Sequence, residues 1–347
     1  MTGLKANQQQ KRQRCILRLP SAGQLRVGFF SLFCLLLLLR NSAIAVEYVN
    51  RGLLLCARSV IPSLFPFMVI SEILVNGGTV NRLPKWLLAP IRSLLGLPDA
   101  GCCAVLLGLV CGFPVGAKCA VSAYENGALT KGQAERVVLI SCTPSSAFLI
   151  GTVGGTMWEN PRFGTALYAT VIGVSLLTGI VANLLCKERS SLPEAGKKAE
   201  LPMMSRSRGA ALFTEAIRSS TVSMLLVCAY VIFFSALLGT LHYVLAAFST
   251  SPMTGAVLFC LFELSGGVSQ AAGIGNAMWG AALTAFAVGW SGLSVHCQLL
   301  SVCDGKGLSF RAYFPVKLLQ GFLCALLFSL LLHLFPTLLI PAKICFG

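Results

Sequence analysis

Charge is what this sequence has least of. Asp, Glu, Lys and Arg make up 11% of its 347 residues, less than half of the roughly 25% usual in a soluble domain. Acids number 12 and histidines three. With 56% apolar residues and a mean hydropathy of +0.79, the composition excludes a soluble globular enzyme, a disordered tail protein and a nucleic-acid-binding module. There is no Walker phosphate loop, no paired-aspartate metal site and no Cys/His cluster at zinc-finger spacing. No cofactor and no metal are therefore expected. Cysteine is plentiful at 15 residues, but Cys34, Cys56, Cys111, Cys142, Cys186, Cys228, Cys260 and Cys324 lie inside apolar runs. A thiol there packs as a small polarisable hydrophobe, and Cys102-Cys103 lacks Cys-x-x-Cys spacing.

The charge that is present is one-sided, with 27 basic residues against 12 acidic. In a membrane protein such an excess reports topology, because cytoplasmic ends of spans collect Lys and Arg. Residues 1–27 hold Lys5, Lys11, Arg12, Arg14, Arg18 and Arg26 and no acid, and the apolar run Phe29–Leu39 follows. A signal peptide has this order, and Ser42-Ala43-Ile44-Ala45 offers small residues for cleavage. The long basic lead and the interruption at Arg40 favour an uncleaved first helix over 28–50 behind a cytoplasmic arm, 1–27.

A span needs about 20 apolar residues. Candidates are 28–46, 52–75, 137–155, 163–186, 219–240, 276–300 and 312–335, while 101–117 and 254–275 are shorter and broken by glycine. The long polar stretch from Lys187, with Pro193, Lys197, Lys198, Pro202, Arg206 and Arg208, reads as a cytoplasmic linker, 187–218, between halves 51–186 and 219–335, with a tail at 336–347. With the N-terminus inside, loop 76–98 (Arg82, Lys85, Arg92) falls inside. Counting back from the linker puts 118–136 (Lys118, Lys131, Arg136) inside as well. Both flanks of 101–117 then lie on one side, so this segment is re-entrant. Backbone broken at membrane depth is tolerated only where protein or a water-filled cavity covers it.

The second half echoes the first. Met68–Leu74 matches Ile232–Leu238, and Gly112-Phe-Pro-Val-Gly116 pairs with Gly289-Trp-Ser-Gly-Leu293. The first copy starts at a span running inward and the second at one running outward, which makes an inverted repeat of the kind secondary transporters use. The expected fold is all-α and polytopic, with about seven to eight transmembrane helices plus re-entrant broken segments in two inverted-topology repeats.

The strings Gly112–Lys118, Glu125–Thr130, Ala134–Arg136 and Thr143–Gly151 resemble the nucleoside-recognition, or Gate, domain, in particular the YlbJ-type sporulation integral membrane proteins of spore-forming bacteria. Phe262–Gly267 and Gly289–Gln298 fit the same pattern, and the resemblance covers residues 50–335. It implies a polytopic inner-membrane protein needed for spore formation, with a transporter-like core distantly related to concentrative nucleoside transporters. The basic N-terminal extension and the many cysteines depart from that family.

Ionisable groups inside spans cost about 2.5–3.5 kcal/mol on insertion scales and are functional hypotheses by default. Glu72 and Glu263 lie deep in apolar runs with no adjacent base. Each either meets a coupling ion or ligand, or sits protonated against a neighbouring helix. Lys118 either faces an anionic ligand group or snorkels to the interface. Gly112, Pro114 and Gly116 either open backbone groups to a cavity or merely kink a helix. Asn126, Thr143, Ser145 and Ser146 offer neutral hydrogen bonds, as do Ser291, Ser294 and Gln298, which share one helical face. Such hydroxyls also join helices. His296 points elsewhere, as a proton relay or a helix contact. Gly289-Trp-Ser291-Gly with His333 mimics an intramembrane serine protease, without the surrounding context that chemistry needs. The expected partners are the bilayer and a small solute or coupling ion, with no nucleic acid. The expected activity is non-enzymatic transport by alternating access, against the competing expectation of a non-transporting assembly factor for spore formation.

Overall fold

A computed structural model of the chain describes residues 22–77, 83–185, 209–246 and 251–339. The basic arm to residue 21, Arg82, Cys186, the linker charges through Arg208 and the tail from 340 lie outside the described residues. Among the described residues every regular element is helical, as hydrocarbon demands of a backbone that must satisfy its own hydrogen bonds.

Helix α1 (Ala22–Arg40) is largely exposed, with Cys34 buried. The chain turns at Asn41, whose Nδ2 donates to the Leu37 carbonyl at 3.0 Å. Helix α2 (Ser42–Asn76) then runs unbroken, with a π-helical turn at Cys56–Val60. The expected spans 28–46 and 52–75 therefore exist with other boundaries. Residues 47–51 lie inside α2, joined by the Glu47–Arg51 pair at 2.5 Å one helical turn apart.

Loop 76–98 contains an amphipathic helix, α3 (Lys85–Leu95), bent by 95° from α4 (Asp99–Cys111). The Arg92–Asp99 ion pair holds that corner. Helix α4 stops at Gly112, whose φ of +76° lies where glycine is tolerated without strain. After the cis Phe113–Pro114 peptide, α5 (Val115–Glu125) returns along α4. A Cβ on Gly116 would stand 2.7 Å from the Gly108 Cα and 2.6 Å from the Ser141 Cβ, so only glycine lets the two arms meet. The re-entrant segment expected at 101–117 is thus a hairpin of two helices.

Helix α6 (Lys131–Ser141) starts at a capping box, in which the Thr130 Oγ1 accepts from the Gln133 N–H at 3.3 Å and Gln133 Oε1 accepts from the Thr130 N–H at 2.9 Å. It ends at Cys142, and α7 (Ala147–Met157), wound as a π-helix, follows. The single span expected at 137–155 is therefore broken. Pro144 has no N–H to give and disfavours helical backbone at Thr143. Helix α8 (Pro161–Leu185) closes the half.

The second half has the same order. Helix α9 (Ala210–Ala246) begins inside the stretch read as linker. Helices α10 (Pro252–Phe262) and α11 (Leu264–Ala272) form a second hairpin with Glu263 at its tip, where Gly267 packs on the Cys260 backbone. Helices α12 (Ala277–Trp290) and α13 (Gly292–Cys303) are one span broken at Ser291, with φ +75°. Helix α14 (Tyr313–Leu334) and a short turn, Pro336–Leu339, end the described chain. The order of elements corrects the repeat register. The counterpart of the Gly112–Pro114 tip is Glu263, and Gly289–Leu293 corresponds to the break at 142–146.

Loop contacts sort the helix ends into two faces. On one, Glu125 pairs with Lys306, the Ser309 N–H donates to Glu135 at 2.6 Å, and Arg136 donates to Asn183 at 2.8 Å. On the other, Asn160 donates to the Leu338 carbonyl at 2.8 Å, and His242 lies against Gly255. Six helical stretches are long and apolar enough to cross alone; the broken α6–α7 crosses as well, since its ends lie on opposite faces. Each half then crosses three times, so the second starts on the face opposite the first and is inverted. Eleven of the twelve described cysteines are buried, and all are free, as expected of packing residues.

Candidate functional site

The two hairpin tips and the two helix breaks meet in the middle of the bundle. The Phe113 N–H donates to the Thr143 carbonyl at 2.8 Å, joining the first tip to the first break. Trp290 Nε1 donates to the Leu261 carbonyl at 2.8 Å, joining the second tip to the second break. Between them lies a cavity lined by Phe113, Pro144, Ser145, Phe148, Glu263, Ser265, Ser291, Ser294 and Gln298, with Val60 and Leu64 of α2 and Val227 and Val231 of α9 as its far wall. The space open to a water-sized sphere is about 50 Å³, enough for water and too little for a larger solute in this conformation.

Most of the polar groups arrive at or near the start of a helix, and Gln298 lies one turn beyond Ser294 in α13. Glu263 caps α11, its two carboxylate oxygens accepting from the Ser265 N–H at 2.9 Å and the Gly266 N–H at 2.5 Å. A carboxylate is stabilised there by the positive end of the helix and keeps a further lone pair on each oxygen for a ligand. Ser145 Oγ accepts from the Phe148 N–H at 3.1 Å and so caps α7. Ser291, at the break, donates to the Val288 carbonyl at 3.4 Å. Ser294 and Gln298 face the cavity from α13, and their side chains form no hydrogen bond among the described residues. Among the described residues no Lys or Arg lines this cavity.

Glu72 and Lys118 occupy a different place. They line an open vestibule of about 350 Å³ with Asn76, Ser122, Glu125, Glu215, Ser219 and Lys306, on the face marked by the Glu125–Lys306 pair. Glu72, which has no basic neighbour in sequence, meets Lys118 at 3.3 Å and accepts from Ser219 at 2.8 Å and Asn76 at 3.3 Å. Lys118 also donates to Ser223 at 2.7 Å. The pair pins the returning arm of the first hairpin to α2 and α9. Because both groups touch solvent, a double-mutant cycle of Glu72→Gln and Lys118→Met should give a coupling of about 0.5–1 kcal/mol in thermal unfolding; strictly additive losses would contradict the latch.

The remaining expected residues lie elsewhere. Gly112 and Pro114 shape the first tip, whereas Gly116 serves hairpin packing. Asn126 donates to the Ser122 carbonyl at 2.6 Å, at the outer end of α5 and outside the cavity. Ser146 turns outward and donates to the Val110 carbonyl at 2.9 Å. His296 is fully buried among Trp290, Tyr313 and Phe314, with its Nδ1 3.2 Å from the Tyr313 hydroxyl. It does not line the cavity. Ser291 and His333 form no dyad, since Gly289 packs beside Cys324 and His333 lies nine residues further along α14, about 14 Å.

Sequence reasoning missed Lys317. It is fully buried on α14, and its Nζ donates to the Cys142 carbonyl at 2.9 Å. One turn on, Gln320 Nε2 donates to Thr178 on α8 at 2.6 Å. The last carbonyls of a helix are unpaired and carry its negative end, so Lys317 supplies the donor that the broken α6 lacks. The available signal was a lysine inside an apolar run, obscured by its closeness to the end of the span.

The chain is similar to the sporulation integral membrane protein YlbJ of Bacillus subtilis (strain 168), being 24% identical over 343 residues, which covers 91% of this chain and 84% of that protein. No protein-family model matches the chain, and no solved structure matches it. The likeness first carried by the Gly112–Lys118 and Thr143–Gly151 strings extends along nearly the whole chain, which is similar throughout to this YlbJ-type integral membrane protein.

Proposed function

We propose that this protein moves a small, uncharged polar solute across the membrane by alternating access. The observation that carries the reading is the convergence of two inverted hairpin tips and two helix breaks on one cavity, nearly closed here, into which Ser145, Glu263, Ser291, Ser294 and Gln298 bring polar groups, with a wider vestibule on the face of the Glu125–Lys306 pair. Broken helices at mid-depth are tolerated only where protein or a cavity covers them, and transporters of this design place their solute sites at such breaks. The lining supports an uncharged solute: Ser145, Ser291, Ser294 and Gln298 exchange hydrogen bonds, Phe113 and Phe148 offer ring faces, and the Glu263 charge is offset by the helix it caps.

A nucleoside meets this description, and the Gate-domain resemblance nominates that class first. In this reading Glu263 accepts from hydroxyl or amino donors of the solute, and opening of one hairpin admits it. The protein is not an enzyme. Like its relative it acts in sporulation, in the cytoplasmic membrane, with its basic N-terminus inside.

The test is uptake by the purified protein in liposomes across a panel of nucleosides and small metabolites. Glu263→Gln keeps the shape and halves the acceptor capacity, and should lower uptake about tenfold or more, the cost of a lost charge-assisted hydrogen bond of about 1.5–3 kcal/mol. If the wild-type protein neither binds nor moves any panel member, the assembly-factor reading replaces transport.

A further inference from the structure

Arg58 stands in the middle of α2 and has no partner among the described residues. Val60, two residues on, lines the central cavity, so Arg58 lies at the level of the helix breaks and away from either face. About 24 Å of helix separates it from Ser42 and about 27 Å from Asn76, and the side chain spans only part of such a distance. No carboxylate pairs with it and no hydrogen bond satisfies it among the described residues. An arginine at this depth is costly unless it meets an anion or water.

What Arg58 faces is a groove of about 500 Å³ on the flank of the bundle, between α2 and α7. Both walls are π-helical, at Cys56–Val60 and Ala147–Met157, a winding that recurs at functional sites. The hydroxyls of Ser63, Ser146, Thr152 and Thr156 open onto it. Thr152 and Thr156 make only long bonds, 3.5 Å to the Ser59 carbonyl and 3.4 Å to the Gly151 carbonyl, and so are free to turn to a better acceptor. Nothing lies within 4 Å of where a Gly151 Cβ would stand, which leaves the floor of the groove open. No lining residue is shared with the central cavity.

We propose that this groove binds an anionic head group, a carboxylate or a phosphate ester carried on an apolar tail, entering sideways from the lipid. Arg58 donates its planar fork to the head group in bidentate fashion, Thr152 and Thr156 add hydroxyl donors, and the tail lies against Pro62, Phe67 and Ile150. The inference does not depend on the transport reading.

The experiment is thermal unfolding of the full chain in an uncharged detergent, with oleate, phosphatidic acid, phosphatidylcholine or inorganic phosphate added. Oleate or phosphatidic acid should raise the midpoint by about 3 °C or more near saturation, while phosphatidylcholine should not. The rise should vanish in Arg58→Gln and in Gly151→Leu, which fills the floor without touching the charge. Should Arg58→Gln fail to fold, Gly151→Leu carries the test. Absence of any rise with both amphiphiles, or an equal rise in wild type and Gly151→Leu, overturns the proposal. A rise with inorganic phosphate alone overturns the assignment of an apolar-tailed ligand.

Discussion

Replacing Gly116 by leucine will collapse the first hairpin. The two arms of that hairpin and α6 meet at Gly108, Gly116 and Ser141 with no space for a side chain, the nearest atoms to a Gly116 Cβ being the Ser141 Cβ at 2.6 Å and the Gly108 Cα at 2.7 Å. Backbone atoms cannot rotate away as a flexible side chain can. Overpacking a core costs about 1–3 kcal/mol where neighbours yield, and more where they do not. Three helices would have to separate here, so a loss of about 3 kcal/mol or more is expected. Thermal unfolding in detergent would show it, together with faster alkylation of the buried Cys119 one turn away. Gly127→Leu, at a turn where a Cβ meets nothing within 4 Å but φ is +70°, should cost only the left-handed strain of about 1–2 kcal/mol. Equal losses at the two positions would refute close packing as the cause.

Lys317 gives the second large effect, and the choice of replacement separates its two contributions. Lys317→Met keeps the stem and leaves the Cys142 carbonyl buried without a donor, at about 1–3 kcal/mol. Lys317→Ala removes the stem as well and opens a void in the packing of α14, raising the loss toward about 2–5 kcal/mol. Lys317→Gln retains a donor and should fall below both. The measurement is the unfolding midpoint of the three variants in one detergent. A methionine variant as stable as wild type would show that the carbonyl finds another donor, and the role of Lys317 in holding the break would be lost. A break held from α14 also makes geometric sense of the site. The Cys142 carbonyl precedes Thr143, which receives the first hairpin tip, and Ser145, which lines the cavity.

Several parts of this arrangement were legible in the chain. The apolar runs at 163–186 and 312–335 became α8 and α14 within two residues at each end, because long uninterrupted runs leave a membrane backbone no option but helix. The re-entrant segment was forced by arithmetic on the sidedness of Lys and Arg. Its tip at Gly112–Pro114 was readable because glycine and proline act locally. Boundaries failed where polar residues sit within helices. Glu47, Asn50 and Arg51 looked like a turn, yet Glu47 and Arg51 satisfy each other across one turn of α2. The break at 142–146 was overlooked because its residues are small and mostly apolar or hydroxylic, so the hydropathy of 137–155 hides the proline.

The site was legible in its parts and not in its grouping. Ser145, Glu263, Ser291, Ser294 and Gln298 do share one cavity, because the first four lie at or near the start of a helix, the inverted repeat brings those starts together, and Gln298 follows Ser294 one turn along the same face of α13. Glu72 was placed with them, and the fold assigns it to the vestibule with Lys118, 46 residues away in sequence. Arg58 and Lys317 obeyed the same rule that singled out Glu72 and Glu263, yet are easily passed over because each lies near one end of an apolar window. Composition and charge placement by themselves determined that the chain is helical, crosses the membrane repeatedly and turns back within it, since lipid constrains every backbone group alike. Which carboxylate meets a lysine, which meets a helix end and which arginine meets nothing was decided by the tertiary structure alone, because those outcomes depend on contacts between residues far apart in sequence that no local pattern encodes.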